Sequence, residues 1–165
     1  MRNFISEDDI EQAILQKLEG DPFQYGILRC DPSPDKRELL PDGTGRSSKK
    51  ECVLPLILRE ALARLNPDIP GEKLEEIACD LCRDFSATDM TATNYKYYNQ
   101  IRNGIKISLR RNGKEDFDFV KLVDFDRPEN NTFTAVSQMW IQGRVYWRRP
   151  DVLIFINGLP MVFVE

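Results

Sequence analysis

The chain has 165 residues, 41% hydrophobic and 30% charged, which suits one soluble globular domain with its own core. Its net charge of −4 argues against a protein that coats nucleic acid nonspecifically, while leaving room for a local basic groove. It contains no histidine, which excludes Ser-His-Asp and Cys-His hydrolases, His-based zinc centres and histidine general bases.

Ser6-Glu7-Asp8-Asp9 reads as a helix start, with Ser6 as the N-cap and acids in the first turn. Ile10, Ile14, Leu15 and Leu18 follow at helical spacing, and Gly20 ends the run. Glu7 and Glu11 are within reach of a site from this helix, although solvated first-turn acids are the commoner explanation. Residues 21–50 are rich in proline and glycine and read as a long loop, with a short strand at 25–29. Gly43-Thr44-Gly45-Arg46-Ser47-Ser48-Lys49-Lys50 fails the Walker spacing, so it reads as a mobile, solvated basic loop.

Residues 52–65 form a second helix with apolar residues around most of its circumference. Glu60 on it is either a further acid for a site beside the sheet or an ion-pair partner of Arg64, the reading preferred here. Residues 71–85 and 88–102 give two more helices, the last ended by Asn103-Gly104. Cys79-Asp80-Leu81-Cys82 has metal-like spacing, but no second CxxC completes it, so the four cysteines read as buried thiols.

After Gly104 the period becomes alternating. Strands are expected at 105–110 and 117–123 around Asn112-Gly113, and at 132–141. Arg144-Val145-Tyr146-Trp147-Arg148-Arg149 is basic and aromatic; it suits a phosphate backbone or a charged strand edge. The last stretch, 151–165, holds two apolar runs around Asn157-Gly158, a strong hairpin signal. Asp151 opens the first run and Glu165 closes the second. Both runs are apolar on both faces, which predicts central strands. The fold class expected is α/β (α+β): N-terminal helices (1–103) flanking a central mixed, largely antiparallel sheet (104–165), in a single domain 1–165.

Hairpin parity decides whether the two acids meet. A two-residue turn at Asn157-Gly158 pairs Asp151 with Val164 and sends Glu165 to the other face. An odd loop pairs Asp151 with Glu165, with Cβ atoms roughly 5 Å apart. A shared metal site needs the odd register, and an odd loop is therefore expected. Two such carboxylates repel unless a cation lies between them, and Mg²⁺ or Mn²⁺ prefers oxygen ligands of this kind. Two ordinary charges at strand ends remain the plainer alternative.

The run from Arg149-Pro150-Asp151 through Asn157-Gly158-Leu159-Pro160 to Val162-Phe163-Val164-Glu165 resembles the nuclease core of type I restriction enzyme R subunits. Asp124-Phe125-Asp126-Arg127-Pro128-Glu129-Asn130-Asn131, Phe133, Gln138 and Glu7 support the likeness across most of the chain. The resemblance implies a restriction-endonuclease-like core of the PD-(D/E)XK superfamily. In it Asp151 and Glu165 would be the catalytic metal ligands for Mg²⁺, with a lysine two residues after Glu165 assisting the attacking water. It implies cleavage of double-stranded DNA in a complex with methylation and specificity subunits, and ATP-driven motors in the remainder of the subunit. On this reading the 165 residues are an N-terminal fragment of a cytoplasmic protein, inactive as it stands, with no membrane partner. A non-catalytic DNA-guiding or subunit-docking module on the same scaffold is the alternative.

Overall fold

In the computed structural model, residues 6–83, 89–111 and 114–165 are described. Helix α1 (Glu7–Glu19) starts as its sequence dictates: the Asp9 N–H donates to Ser6 Oγ at 3.1 Å and the Ser6 N–H to Asp9 Oδ2 at 3.0 Å. Helix α2 (Pro55–Leu65) begins at Pro55 rather than at residue 52. Proline fits the first helical position, where no N–H is needed. Helix α3 (Gly71–Leu81) stops at Cys82, short of the expected end; Phe85 and Thr88 lie outside the described residues. Helix α4 (Met90–Asn103) is capped by Asp89 and ended by Gly104, whose φ of +79° suits glycine.

Strands β1 (Gly26–Arg29), β4 (Phe133–Ser137), β7 (Val152–Ile156) and β8 (Leu159–Val164) form one mixed sheet in the order β1-β4-β7-β8. The β1–β4 pair is parallel; the other two pairs are antiparallel. Helix α1 covers one face, where Leu15 packs with Ala135 and Val152. Leu54, at the start of α2, covers the other with Val136, Leu153 and Phe155. These layers match the expected α+β class. Strands β2 (Ile105–Arg111) and β3 (Lys114–Val120) form a separate ribbon that sends Leu109 and Val120 into a core shared with α2 and α3; the Asn112-Gly113 turn lies outside the described residues.

Three expectations are corrected. Strand β8 is an edge strand, not a central one: Met161, Val162 and Phe163 are 40%, 49% and 54% exposed, and composition alone does not distinguish edge from centre. The strand expected at 132–141 is broken at Gln138, whose φ of +57° is left-handed. Beyond the break, β5 (Ile141–Gln142) pairs with β6 (Trp147–Arg148) as a second ribbon.

The third correction is the basic loop. Its Arg46 and Lys49 are buried around Asp42, at 2.6 and 2.7 Å, and Thr44 also donates to Asp42. Burial pushes the Asp42 carboxyl up, but hydrogen bonds from Lys49, Thr44 and Arg46 outweigh it and hold the group well below the usual carboxylate range. Arg46 also donates to the carbonyls of Glu51 and Trp140, and the Lys49 carbonyl accepts from the Gln142 N–H. This loop therefore clamps the β5–β6 ribbon instead of lying in solvent.

Candidate functional site

The β7–β8 hairpin reaches the required register by a route different from the one expected. Its turn is the two-residue Asn157-Gly158, with φ of +53° and +79° and Ile156 paired with Leu159. A bulge then adds one residue: Phe155 pairs with Pro160 but Ile154 with Val162, so Met161 is extra. The outer pairs become Leu153–Phe163 and Val152–Val164. One step further, the register sets Asp151 opposite Glu165. The expected odd loop is absent; the bulge supplies the parity instead.

The turn is seated deep in the protein. Asn157 is fully buried and donates to the Leu122 carbonyl (2.9 Å) and to Asn131 Oδ1 (2.8 Å), while its own Oδ1 accepts from the Thr132 N–H at 2.8 Å. The Gly158 carbonyl accepts from the Leu54 N–H at 2.9 Å, just ahead of α2. A Cβ on Gly158 would stand 2.6 Å from the Leu54 carbonyl oxygen and 2.8 Å from the Leu58 nitrogen. Asp124-to-Asn131 braces this end: Asn131 bridges Asp124 and Asn157, and Asn130 donates to Asp124 Oδ2 at 2.9 Å.

The acids lie at the opposite end of the sheet. There β1 ends at Arg29, β4 ends at Ser137, and β7 begins after Asp151. The Gln138 N–H donates to the Asp151 carbonyl at 3.0 Å, extending the β4–β7 ladder. A cleft of about 470 Å³ opens at this edge, bounded by Glu7 and Glu11 of α1, by Arg29 and Cys30, and by Gln138, Arg149 and Asp151. Glu11 is only 9% exposed. Gln138 joins it to Asp151: the amide Nε2 donates to Glu11 Oε2 at 2.5 Å and lies 3.4 Å from Asp151 Oδ1. The Gln138 side-chain amide oxygen Oε1 is buried and has no hydrogen-bond partner among the described residues. Burial pushes the Cys30 thiol up to about 11, so it remains a neutral wall of the cleft.

Asp151 therefore lies in the cleft. Glu165 is exposed and stands across from Asp151 through the strand register, not as a wall of the cleft. Glu7 reaches the cleft but is exposed. Glu60 is exposed on α2 and does not border it; its expected partner Arg64 donates instead to the Asn130 carbonyl and Thr132 Oγ1. Of the cysteines only Cys30 is buried, while Cys52 and Cys79 are exposed, contrary to the expectation of buried thiols. Among the described residues no group of three His, Cys, Asp or Glu side chains is gathered closely enough to hold a metal. The oxygen donors near one another are Asp151, Glu11 and the Gln138 side-chain Oε1, while Glu165 stands opposite Asp151 only through the strand register. All are hard oxygen groups of the kind Mg²⁺ prefers.

Gln138 stood out in the sequence only as part of the family likeness; its hold on Asp151 was not legible, because periodicity placed it inside a strand. The burial of Glu11 was equally hidden, since a first-half helix acid carries no local mark of what packs above it.

Fold and cleft together define an α+β domain with an oxygen-rich cleft at one end of its mixed sheet. The chain belongs to the family described as type I restriction enzyme R protein N terminus, whose family model matches residues 4–165. It is similar to the type I restriction enzyme HindI endonuclease subunit of Haemophilus influenzae, at 32% identity over 162 residues. That match covers 98% of this chain and 15% of the relative. It is also similar to the putative type I restriction enzyme MjaIXP endonuclease subunit of Methanocaldococcus jannaschii, at 28% identity over 164 residues, covering 94% of this chain and 14% of that protein. The chain thus spans about a seventh of the length of these relatives. Among the described residues no helix is long and apolar enough to cross a membrane.

Proposed function

We propose that this domain is the Mg²⁺-dependent endonuclease domain, of the PD-(D/E)XK type, that cuts double-stranded DNA within a type I restriction–modification complex. The observation that carries the reading is the Met161 bulge, which sets Asp151 and Glu165 opposite each other at the sheet end beside the Gln138–Glu11 pair. Relatives named as endonuclease subunits support it. The rest of such a subunit would carry ATP-driven motors, and methylation and specificity subunits would supply the target sequence.

Asp151 and Glu165 would hold the cation, with Glu11 alongside. When bound, Mg²⁺ lowers the pKa of a water and stabilises charge on the scissile phosphate. The protein's share is placement. Gln138 grips Asp151 by its backbone N–H and reaches the Asp151 carboxylate with its amide, so the first strand-end acid is fixed from β4. Its left-handed backbone is a strained conformation held by those contacts. Arg29 and Arg149 border the same cleft and bring positive charge to where a phosphate would enter.

The test is nicking of supercoiled plasmid by the assembled full-length complex with Mg²⁺. Asp151→Ala and Glu165→Ala each lower the rate by about 100-fold or more, at or beyond the upper end of what loss of a metal site's supporting contacts costs. Nicking that survives both substitutions overturns the proposal and favours the DNA-guiding alternative.

A further inference from the structure

We propose that the β5–β6 ribbon, with Arg37 stacked on it, is the surface that holds the DNA phosphate backbone and leads it to the acid cleft; this rests on the DNA-cleavage reading above. Three guanidinium groups lie over aromatic rings: Arg149 over Trp140 at 5.3 Å, Arg37 over Trp147 at 5.4 Å and Arg148 over Tyr146 at 5.5 Å. The two indoles meet edge to face at 6.4 Å, which joins two of these stacks into one ladder.

Stacking occupies the face of a guanidinium and leaves its in-plane N–H groups free to grip an oxyanion. Few of those donors are used here. Arg149 donates to the Pro32 carbonyl at 2.8 Å, Arg148 to the Trp147 carbonyl at 3.5 Å, and Arg37 reaches Glu38 at 3.4 Å. Among the described residues no carboxylate pairs with Arg144, Arg148 or Arg149. Arg46, Arg59 and Arg83, by contrast, are committed to Asp42, Glu75 and Asp80. Residues 144–149 contain three arginines and no acid, in a chain whose net charge is −4.

Three further features select a polyanionic strand as the occupant. The ribbon is exposed, with Val145 and Tyr146 72% and 66% accessible. It is held in shape by Arg46 on the Trp140 carbonyl and by the Gln142 N–H on the Lys49 carbonyl, so its donors are ordered in advance. Arg149, the residue directly after β6, borders the cleft that holds Asp151, so a backbone laid along the ribbon continues into the acids. Contacts of this kind read phosphates and carry no base sequence.

The experiment is fluorescence anisotropy of a labelled 30-bp duplex with the full chain in EDTA, across a salt series. Arg144→Ala/Arg148→Ala weakens binding about tenfold or more on any duplex sequence. It also lowers the slope of log affinity against log salt by roughly two, near 0.9 for each phosphate that is no longer neutralised. Arg144→Lys/Arg148→Lys recovers most of the slope. Circular dichroism checks that the variants fold, as expected for exposed positions. Unchanged affinity and slope in the double alanine variant overturn the ribbon, whether or not plasmid nicking depends on Asp151. Unchanged DNA binding with lost binding to the other subunits also overturns it, assigning the ribbon to an acidic protein surface. A binding loss in the double variant, together with no Mg²⁺-dependent nicking by the parent complex, supports the ribbon and sinks the nuclease reading alone.

Discussion

Replacing Asp42 tests how the long loop is fixed. The side chains of Arg46, Lys49 and Asp42 are 0%, 6% and 8% exposed, so Asp42→Ala leaves two buried cations without their shared carboxylate. Breaking a buried pair from one side typically costs about 3–5 kcal/mol, because an uncompensated charge stays behind. Here one carboxylate serves two cations and also accepts from Thr44, which places the cost at the upper part of that range. Urea unfolding followed by circular dichroism measures it. The sign with pH follows from the depressed folded-state pKa of Asp42. Its stabilisation is complete above the unfolded carboxylate value of about 3.9, and is lost as pH falls from there towards the lower folded value. The parent therefore loses stability between about pH 5 and pH 2 more steeply than Asp42→Asn, which has no charge to lose. A cost below about 1 kcal/mol, or parallel pH profiles, would refute a buried ionic clamp.

Gly158→Ala places a side chain at φ +79° against the first turn of α2. The backbone penalty is about 1–2 kcal/mol, and the Leu58-to-Leu54 hydrogen bond at 2.9 Å lies in the way, worth about 1 kcal/mol more. A loss of about 2–3 kcal/mol in denaturant unfolding is expected, and a change within 0.5 kcal/mol contradicts the seating described. Gln138→Ala keeps the left-handed strain and strips the 9%-exposed Glu11 of its amide donor, so thermal unfolding reports a loss of about 1–3 kcal/mol.

Local chemistry was legible and tertiary choices were not. Ser6 and Asp9 form the cap their spacing announces, and Asn157-Gly158 makes the turn its dipeptide announces, because both depend on neighbours in sequence. The Met161 bulge was not readable: an apolar run looks the same with or without one extra residue, and only pairing with β7 reveals it. The edge position of β8 was hidden for the same reason. The residues that carried the family likeness divide between the two ends of the hairpin. Asp151 borders the cleft and Glu165 faces it across the strand register, whereas Asn130, Asn131 and Asn157 brace the turn at the far end. Arg46 and Lys49 read as solvated because their composition is that of a loop; their burial depends on Asp42 and on the Trp140 carbonyl, 94 residues away from Arg46.

The most direct test of a shared Asp151–Glu165 metal site is a Mn²⁺ titration of the chain, followed by electron paramagnetic resonance. The account predicts one site whose affinity falls at least about tenfold in both Asp151→Ala and Glu165→Ala and is unchanged in Glu60→Ala. Equal Mn²⁺ affinity in the parent and in both acid variants would contradict it.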